Sequence, residues 1–313
     1  MKTHICLTIA VALLSLIGVA VRAADPENGI YQELTTQGVP LAAGAKAKLP
    51  TFTMDYGLSG EKQDQIIKDL LATNENAPKL EKFMEKKVNT PYFRVDSDIP
   101  NSTSHELDLY FTAYGPLATV ADGNFWKSRL GNNKNGDLHF LTPAEMKPHN
   151  LKIVDQPTMK ERYAHADVEL FQMVKVAGTA RAMETIAKES VVIAFLMDSS
   201  FQKDATMPNE WRPITFDKSG KKVVGDPTPY DGVGAYSKIS ELKNTPGALF
   251  VEYHIIWDEP KGWFNGKPVM KSKLGMMIEN DVRSFRNDLK LGVAANPPAA
   301  GNQPAGKQQA ATH

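Results

Sequence analysis

The chain has 313 residues and balances 36 basic against 36 acidic side chains, so it carries neither the basic footprint of a nucleic-acid binder nor a polybasic membrane patch. Its only cysteine, Cys6, lies within the first 23 residues. Once those are removed, disulfides, thiol nucleophiles and cysteine-based metal sites are excluded together.

Residues 1–23 read as a secretory signal. Lys2 is the basic start, Ile5 to Val21 is apolar apart from Thr8, Ser15 and Gly18, and Val21-Arg22-Ala23 offers a cleavage site before Ala24. Removal takes away Lys2 and Arg22 and no acid, leaving 34 basic and 36 acidic residues. The expected location is secreted or periplasmic, and no later apolar run is long enough to span a bilayer. Residues 24–50, with Ala42-Ala-Gly-Ala-Lys-Ala47, read as linker. Residues 51–291 form one globular domain. Residues 292–313, rich in Ala, Pro, Gly and Gln with Lys307 as the one charge, read as a disordered tail.

Ser59 caps a predicted helix through Ala72, with Ile66, Ile67, Leu70 and Leu71 apolar. A second helix is expected from Pro78, with Leu80, Phe83, Met84 and Val88 on one face. From Glu106 the period changes to two: Leu107, Leu109, Phe111 and Ala113 face one side of a strand. Thr142-Pro143-Ala144-Glu145 combines a cap, a proline at the first helical position and a capping-box glutamate. Asn132 to Asp137 reads as a polar turn.

Tyr163 to Met197 reads as a long hairpin. Its first strand runs to Thr185 with a bulge where the phase shifts at Leu170-Phe171, Ala187 to Ser190 turns, and Val191 to Met197 is a central strand. Short strands follow at Trp211–Phe216 and Ala235–Ile239. A core strand is expected from Ala248 to Trp257 and a closing helix from Met270 to Leu291. In that helix Leu274, Ile278, Val282, Phe285 and Leu289 form the buried stripe, and Arg283, Arg286 and Lys290 face solvent. The expected fold is α+β: a mostly antiparallel sheet with short N-terminal helices and a long C-terminal helix packed on it. This element order is similar to that of helix-grip folds, in which a curved sheet holds a C-terminal helix over an apolar cavity.

No standard catalytic signature is complete. Gly232-Val-Gly234 begins a dinucleotide fingerprint, but Ser237 stands where a glycine is required. Asn133 to Gly136 has the look of the middle of a calcium loop, with Gly131 and Thr142 at positions that need acids.

Two strands carry histidine among acids. His165, Asp167 and Glu169 alternate on one; Glu252, His254 and Asp258 share a face of the other. If the strands were neighbours these groups would converge on a divalent metal or supply a general base. The plainer reading makes the first trio a solvated face and His254 a hydrogen-bonded core residue. Trp257, Trp263, Phe264 and His254 are the candidate ligand-binding residues: exposed, the three aromatics would stack on a sugar or anchor a protein, and buried, they would pack under the last helix. Met173, Met183, Met197, Met270, Met276 and Met277 suit an adaptable apolar pocket or an ordinary core.

Two functions follow from these features. The first is a non-catalytic exported binding or envelope-associated module whose partner is an apolar ligand, a glycan or an envelope protein. The second is a metal-assisted hydrolase built on the two histidine–carboxylate faces.

Overall fold

A computed structural model describes residues 27–123, 125–126, 136–230 and 232–295. The expected signal and its cleavage site, nearly all of the expected tail, and residues 132–135 of the expected polar turn lie outside the described residues. The longer elements, in chain order, are helices α1 (Gly29–Thr36) and α2 (Gly60–Ala72), then strands β1 (Phe93–Asp98), β2 (Ser104–Tyr114) and β3 (Gly136–Phe140). Strands β4 (Met159–Leu170), β5 (Val174–Ile186), β6 (Ser190–Met197), β7 (Glu210–Phe216), β8 (Val233–Glu241) and β9 (Ala248–Asp258) precede helix α3 (Val269–Ala295). No helix among the described residues is long and apolar enough to cross a membrane.

The sheet is antiparallel throughout, in the order β3-β4-β5-β6-β8-β9-β2-β1. One edge of β5 is shared: β6 pairs with Ala180–Ile186, and β7 with Val174–Ala177. Strand alternation divides the sheet into two faces. One receives α3, whose Leu274, Ile278, Val282, Phe285 and Leu289 pack against Leu107, Leu109, Phe111, Val251 and Ile193. The fold is therefore α+β with a long C-terminal helix against a mostly antiparallel sheet, and the stripe of α3 is the one its periodicity predicts.

The other face is covered by the N-terminal segment. Ser59 caps α2 by accepting from Lys62 N, and Ile67 and Leu71 of that helix pack with Phe93, Tyr110 and Phe250. Helix α1 buries Ile30 and Leu34, joined by Val39, Leu41 and Leu49, against Ala194, Leu196 and Tyr236. Residues expected to be linker are thus part of the packed domain. Their approach depends on Gly234 of β8, where a Cβ would come within 2.7 Å of Leu34 and 2.8 Å of Val39.

Four further expectations are corrected. The second N-terminal helix is only one turn, Leu80–Phe83. The strand from Tyr163 does not run on to Thr185. It reverses at Phe171 and Gln172, both left-handed at φ 54° and 58°, and Met173 N donates to Leu170 O at 3.0 Å to close the turn. Gly136 and Asp137 belong to β3, where they pair with Val168 and Asp167, rather than to a turn. Arg286 does not face solvent: it is 5% exposed, and donates from Nε to Thr112 O at 2.8 Å and from Nη1 to Thr90 O at 2.6 Å. The capping box at Thr142 and Glu145 is formed as read.

Candidate functional site

Between the α3 face of the sheet and the start of α3 lies a cavity of about 120 Å³. Its floor is built from small residues that the β4–β5 register sets directly opposite each other, Ala164 against Ala180 and Ala166 against Gly178. Larger side chains at these four positions would fill the space beneath the helix. Val168, Leu170 and Val176 continue the wall toward the β4–β5 turn. Phe195 and Met197 line it from β6, Leu107 from β2, and Met270 and Leu274 from α3. Among the described residues, none of the lining side chains is charged.

The remaining end is aromatic. Trp257 enters from β9, and Tyr230 and Trp263 from the connections before and after the last hairpin. Tyr230 donates its hydroxyl to Asp258 O at 3.0 Å. Trp263 lies 5.5 Å from the Tyr230 ring and packs edge-on to Trp211. Gly262, at φ 107°, makes this turn possible; a Cβ there would also meet the Trp211 ring at 3.4 Å.

The predicted ligand residues divide accordingly. Trp257 and Trp263 line the cavity. Phe264, 1% exposed, packs behind it with Phe171 and Trp263. The loop therefore presents no exposed Trp263–Phe264 surface on which a sugar would stack. His254 belongs to the opposite face of β9, in the register of Glu252 and Ile256, and does not meet the cavity.

The proposed metal set is not brought together. His165, Asp167 and Glu169 lie on β4, and Glu252, His254 and Asp258 on β9, four strand spacings away, roughly 19 Å at about 4.8 Å per step. Each group has local partners instead. His165 Nδ1 is 3.0 Å from Thr179 Oγ1, and burial pushes its pKa down. Asp167 pairs with Lys175 at 2.9 Å, and Glu169 with Lys222. Asp258 accepts from Thr103 Oγ1 at 2.6 Å and Ser104 Oγ at 3.1 Å. Among the described residues, no group of three His, Cys, Asp or Glu is placed to hold a metal ion. The convergence that the hydrolase reading needs is absent.

Glu252 and His254 do form a site of another kind, a buried ionic cluster beneath the N-terminal cover. Glu252 accepts from Thr53 N at 2.7 Å and Met54 N at 3.3 Å. Lys238, opposite Glu252 in the β8–β9 register, donates to Met54 O and lies 3.7 Å from the centre of the Tyr56 ring. His254 Nδ1 is 2.6 Å from Asp108 Oδ1, while Nε2 is 3.5 Å from Glu252 Oε2, within ion-pair range but without hydrogen-bond geometry. Burial alone would depress the imidazole, and the Asp108 hydrogen bond and Glu252 charge outweigh it, raising His254 to about 9. The cluster ties the cover to the sheet.

Three solved structures are similar to the chain in overall fold. A STAR-related lipid transfer protein from Xanthomonas axonopodis is 9% identical, with a TM-score of 0.38 over 64% of this chain and 93% of that one. Human STARD10 is 10% identical, with a TM-score of 0.39 over 74% of this chain and 83% of its own. The lipid transfer and protein localization domain of human StarD13 is 9% identical, with a TM-score of 0.37 over 74% of this chain and 98% of its own. No protein-family profile and no curated protein sequence matches the chain.

The sequence already held one signal for this site. The alternation from Ala164 to Leu170 places small residues before large ones on one face of β4. That pattern acquires meaning only when β5 sets Gly178 and Ala180 beside it.

Proposed function

We propose that the protein is a non-catalytic binding module that takes an apolar small molecule, or the apolar end of a longer one, into the cavity under α3. The observation that carries this reading is an uncharged cavity of about 120 Å³ with a floor of paired alanine and glycine residues. Apolar surface gains by leaving water for such a space. An engineered apolar cavity of about 150 Å³ in another protein stays dry and takes up benzene, so a one-ring molecule is the appropriate first ligand. Met197 and Met270, both in the lining, supply adaptable walls.

Toluene titrated into the protein by calorimetry tests the reading. Saturable one-to-one binding is expected, and its absence overturns the proposal.

Export is the second part of the proposal. It is supported by the charge, apolar run and small-residue spacing of residues 1–23. N-terminal sequencing of the protein from its native source should begin at Ala24; a mature chain that still contains Cys6 would refute it.

A further inference from the structure

The hairpin of β7 and the short strand Lys222–Val224 runs past the end of the sheet. Strand β7 pairs with β5 from Glu210 to Pro213, opposite Ala177 to Val174, and Ile214 N reaches Met173 O at 2.7 Å. Beyond that bond the ladder continues with Lys222–Val224 alone among the described residues, Ile214 facing Val224 and Phe216 facing Lys222. A two-stranded ladder is marginal in water, and this one turns apolar side chains outward. Phe216 is 55% exposed, Val223 44% and Val224 40%, half of the six large hydrophobic residues exposed among the described ones. Paired residues share a side of a ladder and successive ones alternate. Phe216 and Val224 therefore project to one side of the hairpin and Val223 to the other.

The same end of the molecule is basic. The hairpin carries Lys218, Lys221 and Lys222 against Asp217, whose carboxylate is taken up by its own turn, accepting from Ser219 N at 2.8 Å and Lys221 N at 2.9 Å. Lys222 pairs with Glu169, while Lys218 and Lys221 are exposed. Residues 260–278 approach the base of the hairpin, where Trp263 packs on Trp211 of β7 and Phe264 on Phe171. That segment holds Lys261, Lys267, Lys271 and Lys273, all exposed, and no acid. Lys271 lies 4.0 Å from Asp98. Residues 214–226 and 260–278 thus contain seven lysines and two acids, Asp217 and Asp226, in a chain whose formal charge is zero.

An exposed apolar patch rimmed by polar groups marks an interaction surface, and two observations select its occupant. A folded partner lying against the hairpin covers one side, whereas a lipid interface receives the tip and surrounds both. The lysine excess complements anionic headgroups. We propose that the hairpin docks on an anionic lipid surface. Phe216, Val223 and Val224 enter the boundary of headgroups and acyl chains, and Lys218, Lys221 and the lysines of residues 260–278 lie against the headgroups. The hairpin contributes no side chain to the described lining of the cavity, so this surface is separate from the ligand site.

Sedimentation with vesicles tests the proposal, using protein expressed in its native source. One set contains phosphatidylglycerol and phosphatidylcholine in equal parts, the other phosphatidylcholine alone. The wild type should bind the mixed vesicles at least tenfold more tightly, and added salt should weaken that binding. Phe216→Ser should weaken it roughly tenfold through lost apolar burial. Lys218→Glu combined with Lys221→Glu should weaken it at least tenfold, because each lysine at an anionic surface is worth about fivefold. Val95→Ser, which removes an exposed apolar side chain from β1, should change it by no more than about twofold. No binding to the mixed vesicles, equal binding to both sets, or hairpin variants that bind as the wild type does overturns the proposal. Hydrogen exchange of the wild type locates the contact without any variant, and apart from the apolar run of Ile5 to Val21. Mixed vesicles should slow exchange in residues 214–224, and slowing confined to other segments overturns the proposal. Slowing there that needs no vesicles and grows with protein concentration assigns the patch to a second copy of the chain, which overturns it as well.

Discussion

His254 Nδ1 lies 2.6 Å from Asp108 Oδ1 across the β9–β2 ladder, and the imidazole is completely buried beneath the N-terminal cover. Despite its burial, the ring is held at a pKa of about 9 by Asp108 and Glu252. Because the folded-state value lies above the ordinary 6.5, the stabilisation is complete below about pH 6.5 and is lost as pH rises through 9. Unfolding free energy measured in urea should therefore fall across that window, by roughly 2–4 kcal/mol. His254→Gln should flatten the decline; an equally steep decline in the variant would place its origin elsewhere.

Glu184 produces a second, lower window. It shares a face of β5 with Ala180 and Ala182, is 1% exposed, and neither carboxylate oxygen has a hydrogen-bond partner among the described residues. Burial pushes its pKa up to about 7, with Lys160 and Arg162 pulling it part of the way back. A carboxyl group raised above its unfolded value favours the fold when protonated, so this contribution is greatest below about pH 4.5 and lost as pH rises through 7. Glu184→Gln should remove that slope and raise stability at pH 8 by on the order of 2 kcal/mol. A less stable variant at pH 8 would show that attraction to Lys160 outweighs desolvation.

Arg286 anchors α3 with no carboxylate ion-paired to it among the described residues. Its Nε and Nη1 reach the Thr112, Val88 and Thr90 carbonyl oxygens, joining the helix to β2 and to the segment before β1. Arg286→Ala should cost roughly 3 kcal/mol in chemical denaturation. Hydrogen exchange should quicken in the C-terminal half of α3 and in residues 84–90 together. Exchange confined to the helix would mean that the bonds to Val88 and Thr90 contribute little.

The cavity floor makes a steric prediction. Ala164 is 2% exposed and lines the space beneath α3, so Ala164→Phe should place a ring where the ligand sits. Toluene binding should fall at least tenfold. The melting temperature should hold or rise, because apolar volume replaces a void. A variant that binds toluene as before would locate the ligand elsewhere.

Local pattern carried much of the architecture. The stripe Leu274, Ile278, Val282, Phe285 and Leu289 marks the buried face of α3 before any partner is known, because helix geometry alone brings those positions together. The period-two run from Leu107 to Ala113 does the same for β2, and Thr142 with Glu145 marks a helix start through a bond that spans only three residues. Where these rules missed, the deciding energy was not local. The Phe171–Gln172 turn has neither glycine nor asparagine at its left-handed positions, so it resembles continuing strand until the partners of β5 are known. The charge of Arg286 predicts a solvent-facing side chain, and the carbonyl oxygens of two distant segments make its burial tolerable.

The sequence by itself determined which residues could be buried on each helix and strand, since that depends on periods of 3.6 and 2 along one chain. Tertiary structure decided which strands are neighbours. That choice separated His165 from His254 by four strand spacings and gave each histidine its own partners. It also set Ala164 beside Ala180 and Ala166 beside Gly178. A cavity is space left by residues from several elements at once, and no single stretch of chain encodes it.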